Sequence, residues 1–91
     1  MTLNTQTITT FGSQTAFTYT GGSGAVTLTG AVNGVAALMI SLDGTNFSEA
    51  GRLTKGSGMV IGNIPACDMR WDVISNGLDV NPNFVVSVET V

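Results

Sequence analysis

The segment "MISLDGTNFSEAG", residues 39 to 51, decides how the rest of the chain is read. An apolar run arrives at Asp43-Gly44-Thr45-Asn46, and an aromatic, Phe47, follows it. Asp-Gly is a favoured hairpin pair: glycine takes a positive φ without steric cost, and the aspartate carboxylate bonds nearby backbone N–H groups. A calcium loop would need several carboxylates at alternate positions. Here Gly, Thr and Asn follow Asp43, and the next acid is Glu49. The tetrapeptide is read as a turn between two strands, not a cation site. Asn46-Phe47-Ser48 matches the glycosylation sequon, and turn chemistry accounts for it as well.

Working outward, every neighbouring segment has period two. Before the turn, Leu38, Ile40 and Leu42 share one strand face, and Val35, Ala37 and Met39 share the other. A strand apolar on both faces is either central in a two-layer core or packed against another subunit. The second reading makes Val35, Ala37 and Met39 a candidate subunit interface. Upstream, Val26 and Leu28 alternate with Thr27 and Thr29, and Phe17 and Tyr19 with Thr18 and Thr20. Downstream come "FSEAGRL", a glycine-rich tip "TKGSG", then "MVIGNI". Pro65 follows and belongs at a strand end or an edge. Met69, Trp71 and Val73 point inward from "DMRWDVIS", and Phe84, Val86 and Val88 form a stripe near the end of the chain. Asn33-Gly34, Asn76-Gly77 and "DVNPN" are turn regions. No helical period occurs. These signals predict an all-β fold: a small β-sandwich or jelly-roll-like domain of about seven or eight short antiparallel strands. Residues 1–91 form a single domain, and residues 1–10 read as a detachable N-terminal arm.

Composition narrows the function. A chain of 91 residues buries roughly two-thirds of its unfolded surface, so its core is marginal unless reinforced. One cysteine, Cys67, makes no internal disulfide, and without histidine no zinc site is available. Oligomerisation is the remaining reinforcement. Charged residues are 10% of the chain, against about 25% in ordinary soluble domains. A surface of Thr, Ser, Asn, Gln and Gly can press against other protein without stripping water from many ions. The net charge of −3 and the three cations, Arg52, Lys55 and Arg70, argue against direct nucleic-acid or anionic-lipid binding. "MTLNTQTITTF" lacks a basic segment followed by an apolar one, so no secretory signal is expected, and no apolar run approaches membrane-spanning length.

Catalytic constellations are scarce. The usual general base near neutral pH is absent with histidine. Asp68 and Asp72 stand four apart, roughly 13 Å along an extended strand, outside the usual separations of glycosidase carboxylate pairs. Arg70 shares a face with Asp72, with Glu49 and Glu89 as possible cross-strand partners. Trp71 is either core or a sugar-stacking platform, and the stripe with Met69 and Val73 favours core. Cys67, beside Ala66 and near Pro65, reads as a small buried hydrophobe. No enzyme activity, cofactor or metal is expected.

An apolar strand running into "SLDGTNF", the glycine-rich hairpin "LTKGSGMVIGNIPA", the strand "MRWDVIS", an Asn-Gly turn and the closing "NFVVSVETV" follow one another over residues 38 to 91. This order resembles small tailed-phage virion proteins of the capsid decoration (cement) and head-fibre or tail-module type. Phe47 stands where tryptophan is commoner in that pattern, and Met69-Arg70-Trp71 approximates its aromatic–arginine pairing. The resemblance implies a β-sandwich, commonly trimeric, attached to the outside of an icosahedral capsid. Its partners would be copies of itself and the major capsid protein. It would be made in the host cytoplasm and located on the virion. The uncharged arm, with Thr2, Leu3, Asn4, Thr5, Thr7 and Ile8, is the candidate capsid contact, adding to a neighbouring sheet through backbone hydrogen bonds. The alternative is a carbohydrate- or receptor-binding module of a tail or fibre, which would present an exposed aromatic among Phe11, Phe17, Tyr19, Phe47 and Trp71.

Overall fold

Period-two segments become strands when their apolar stripes have an opposing stripe to meet, and here the stripes meet across two sheets. A computed structural model of the chain describes residues 1–54, 56–77 and 80–90. Lys55, in the glycine-rich tip, and Asp79, in the last turn region, lie outside the described residues. The strands are β1 (Thr2–Ile8), β2 (Gly12–Ser13), β3 (Phe17–Tyr19), β4 (Gly22–Ala31), β5 (Gly34–Ser41), β6 (Ser48–Leu53), β7 (Gly58–Ile64), β8 (Cys67–Ser75) and β9 (Asn83–Thr90). One sheet has the order β1-β9-β4-β7. The other has the order β2-β8-β5-β6, with β3 also paired to β8, and all pairings are antiparallel.

Two antiparallel sheets with this order and chain path form a jelly roll. Nine strands replace the expected seven or eight because one jelly-roll strand is interrupted. Both β2 and β3 pair with β8, and the break between them is stabilised by Gln14. Its backbone N–H donates to Trp71 O at 2.7 Å, and its Nε2 donates to Thr10 O and Gly12 O.

The inward stripes stand where alternation puts them. Val26, Leu28, Met69, Trp71, Val73, Phe84, Val86 and Val88 are buried, with Tyr19, Leu38 and Ile8 among them. One glycine is required by this packing. A Cβ at Gly24 would collide with the carbonyl oxygen of Glu89 and would lie 2.8 Å from the Tyr19 hydroxyl. That hydroxyl donates to Gly22 O at 2.7 Å, so the only tyrosine is fully buried yet hydrogen-bonded.

Three expectations change. "LTKGSGMVIGNIPA" is not a hairpin: β6 pairs with β5 in one sheet and β7 with β4 in the other, so the connection crosses the sandwich. Leu42 does not join Leu38 and Ile40 in the interior. It lies past the end of β5 and is 75% exposed, because the Asp43 turn has already begun. Residues 1–10 are not a free arm. Residues Thr2 to Ile8 pair along β9, and Ile8 is 1% exposed in the core opposite Phe84.

Candidate functional site

Antiparallel pairing of β5 with β6 and β8 brings the chemistry-bearing side chains to one outer sheet face. Ala37 lies between Arg52 and Asp72, Met39 between Glu49 and Arg70, and Val35 beside Ile74. Arg70 Nε donates to Asp72 Oδ1 at 3.0 Å, and Arg52 Nε donates to both carboxylate oxygens of Glu49 at 2.9 Å. Arg70 therefore pairs along its own strand rather than with Glu49 or Glu89. Its guanidinium carbon also lies 4.3 Å from the centre of the Phe47 ring, a cation–π contact that folds the hairpin end back onto the sheet. The Glu49 carboxylate raises the Arg52 pKa through its hydrogen bond and its charge. Ala37 is buried by this chain's own neighbours, and Val35 and Met39 are half-buried.

The Asp43 turn is a closed hydrogen-bond system. Asp43 Oδ1 accepts from the backbone N–H groups of Thr45 and Asn46, at 2.8 Å each, and from Ser41 Oγ at 2.9 Å. Its Oδ2 accepts from Asn46 Nδ2 at 2.9 Å, and Ser41 Oγ in turn accepts from the Gly44 N–H. Gly44 takes φ +79°, as the turn reading requires. Donors on both oxygens hold the Asp43 carboxyl well below the usual carboxylate range, with the backbone N–H of Asn46 and then of Thr45 the largest causes. A shallow depression of about 280 Å³ adjoins the turn, lined by Ile40, Leu42, Asp43, Asn46 and Ser48. Among the described residues no three of His, Cys, Asp and Glu gather as a metal cluster would.

The opposite sheet face differs in kind. Its outward positions are Thr5 and Thr7 on β1, Val85, Ser87 and Glu89 on β9, Ala25, Thr27 and Thr29 on β4, and Val60 on β7. Cross-strand register aligns Thr5, Ser87 and Thr27 in one row and Thr7, Val85 and Thr29 in the next. Among the described residues Glu89 is the one charged side chain of this sheet, and it accepts from the Thr2 hydroxyl at 3.0 Å. The expected contact residues thus divide. Thr5 and Thr7 belong to the neutral face, Leu3, Asn4 and Ile8 turn toward the interior, and Thr2 is tied to Glu89.

The five aromatics named for a binding platform divide by burial. Tyr19 and Trp71 are fully buried, and Phe11, Phe17 and Phe47 are half-buried. Among the described residues Trp71 Nε1 has no hydrogen-bond partner. Cys67 is buried, and burial, then the neighbouring Asp68 charge, push its thiol pKa up, away from reactivity. Sequence reasoning missed the division of the molecule into a charged and a neutral face, because which sheet a strand joins is not written in its own alternation.

No protein-family model matches this chain, and no curated protein sequence matches it. Among solved structures it is similar to the Yersinia pseudotuberculosis-derived mitogen, with a TM-score of 0.62 over 97% of this chain and 83% of that one. At 18% sequence identity the likeness is one of fold.

Proposed function

We propose that this protein is a structural component of a phage virion, a capsid decoration protein that attaches as a homo-oligomer to the outer surface of an icosahedral shell. The observation that supports this reading is the neutral face of the β1-β9-β4-β7 sheet. Removing a charged group from water at an interface costs several kcal/mol per ion before any partner compensates. A face of Thr, Ser, Ala and Val with Glu89 as its single charge among the described residues escapes most of that cost, and its hydroxyls exchange water for hydrogen bonds to the partner at little net change. Thr5, Thr7, Thr27, Thr29 and Ser87 are the contact residues in this reading. Multiplication of a modest contact by the shell's symmetry supplies the affinity that no deep pocket supplies. The charged face with its internally paired Arg70 and Arg52 then stays toward solvent.

The test is co-sedimentation of purified protein with particles assembled without it. Saturable binding that Thr27→Glu weakens, with Thr18→Glu on the other sheet as control, is the expected result. Absence of binding to the shell at saturating protein would end the proposal.

A further inference from the structure

A sandwich of two open sheets has four margins, and three of them are obstructed here. Along β1, Gln6 Nε2 reaches across to Thr15 O at 3.1 Å. The β2/β3 margin is broken into pieces of two and three residues. The β6 margin carries the Glu49–Arg52 ion pair and a register shift in its pairing with β5. Charges, bulges and short strands are the devices that keep sheet edges from pairing with other chains. The fourth margin, β7, largely lacks them. No charged residue occurs from Gly56 to Ala66. Its run Gly58–Ile61 pairs regularly with β4, and the register slips only beyond it.

The orientation of this edge can be read from one bond. The Leu28 N–H donates to Ser57 O at 3.0 Å, so ladder alternation turns the N–H and C=O of Gly58 and Val60 away from β4, toward the open side. The Val60 side chain is 84% exposed, the most exposed large apolar group of the strands. Beside β7 the two sheets part in a cleft of about 160 Å³ whose lining includes Ala50, Met59, Ile61 and Ile64.

We infer that β7 is a self-pairing edge: two copies of this chain join antiparallel along β7 about a two-fold axis at Val60, continuing the neutral sheet from one molecule into the other. In a two-fold contact each residue meets its own kind, so any charge near the axis would face a like charge. The chargeless stretch is what such a contact requires; β1, β2 and β3 are chargeless too, but Gln6 reaches across the β1 margin to Thr15 O and the β2/β3 margin is broken into short pieces. Val60 then meets Val60 of the second copy, and its backbone groups complete a hydrogen-bonded pair. Gly58 lies opposite Gly62, so no side chain stands between the strands at that pair. This inference goes beyond the virion reading and does not rest on it, since it concerns the purified protein alone.

Sedimentation equilibrium over a concentration series, with amide hydrogen exchange on the same samples, tests it. The expected result is a monomer–dimer equilibrium in which the Val60 amide becomes protected as dimer forms. Val60→Lys, at an exposed position, should weaken association at least about tenfold while leaving the circular dichroism spectrum unchanged. Thr18→Lys, at an exposed position on the other sheet, should leave association intact. A protein that stays monomeric at the highest concentration reached overturns the inference. So does a dimer or trimer that survives Val60→Lys, or one whose Val60 amide exchanges as freely as in the monomer. Shell attachment without dimerisation would sink the edge pairing and spare the virion reading, and the converse result would do the opposite.

Discussion

Four donors converge on the Asp43 carboxylate, from Ser41, Thr45 and twice from Asn46. Asparagine in its place would aim an N–H₂ group at one of them. Because the folded state favours the ionised form, this carboxylate's contribution is present above the unfolded value near pH 4 and fades as the pH falls below it. Asp43→Asn should therefore lower the urea midpoint at pH 7, and the gap to the native chain should narrow as the pH falls below about 4. A gap that stays constant down to pH 2 would refute this account of the turn. A second residue tests the interior. Tyr19→Phe removes the buried bond to Gly22 O and should cost about 1 kcal/mol by denaturant titration, with the fold retained. The turn was legible in the sequence because Asp-Gly chemistry acts within four residues. The partner of Arg70 was not, since Asp72, Glu49 and Glu89 all stood as candidates until pairing and the Phe47 ring fixed the guanidinium.

At the scale of the element, β1 departs furthest from expectation. A Thr-rich, uncharged segment at the start of the chain reads as an arm, because its apolar positions, Leu3 and Ile8, are few. Register along β9 gives them their place: Ile8 packs opposite Phe84, and Leu3 packs against the same core. Ile8→Ala should cost about 2–5 kcal/mol, a large share of the 5–15 kcal/mol available to a small domain. Removal of residues 1 to 8 should abolish cooperative unfolding, a result circular dichroism against temperature would show at once. A truncated chain with a native melting curve would restore the arm. Strand existence and inward stripes were legible for β4, β8 and β9, whose alternation is clean. The assignment of β6 and β7 to different sheets was not, because a glycine-rich connection suits a hairpin and a crossing equally well.

Across the whole molecule, the chain is a slab with extents of 37, 26 and 17 Å and two unlike broad faces. One carries Arg52 and Arg70 in ion pairs, and the other is a field of hydroxyl and methyl groups with Glu89 as its one charge among the described residues. Contacts made through the second face should vary little between low and high salt, since no exposed charge pairs are screened there. Binding to a partner surface that collapses on salt addition would place the contact on the charged face instead, and titration of the complex with sodium chloride separates the two.

β9 is the final strand of the fold, yet it lies between β1 and β4 and is hydrogen-bonded to both. During synthesis, then, β1 and β4 leave the ribosome with nothing to bridge them, and their sheet has a gap at its centre until β9 emerges. A nascent chain in which β9 is still within the ribosome would expose the Thr-rich strand and its neighbours together. Acquisition of protease resistance should accordingly wait for β9, arriving in one late step rather than strand by strand.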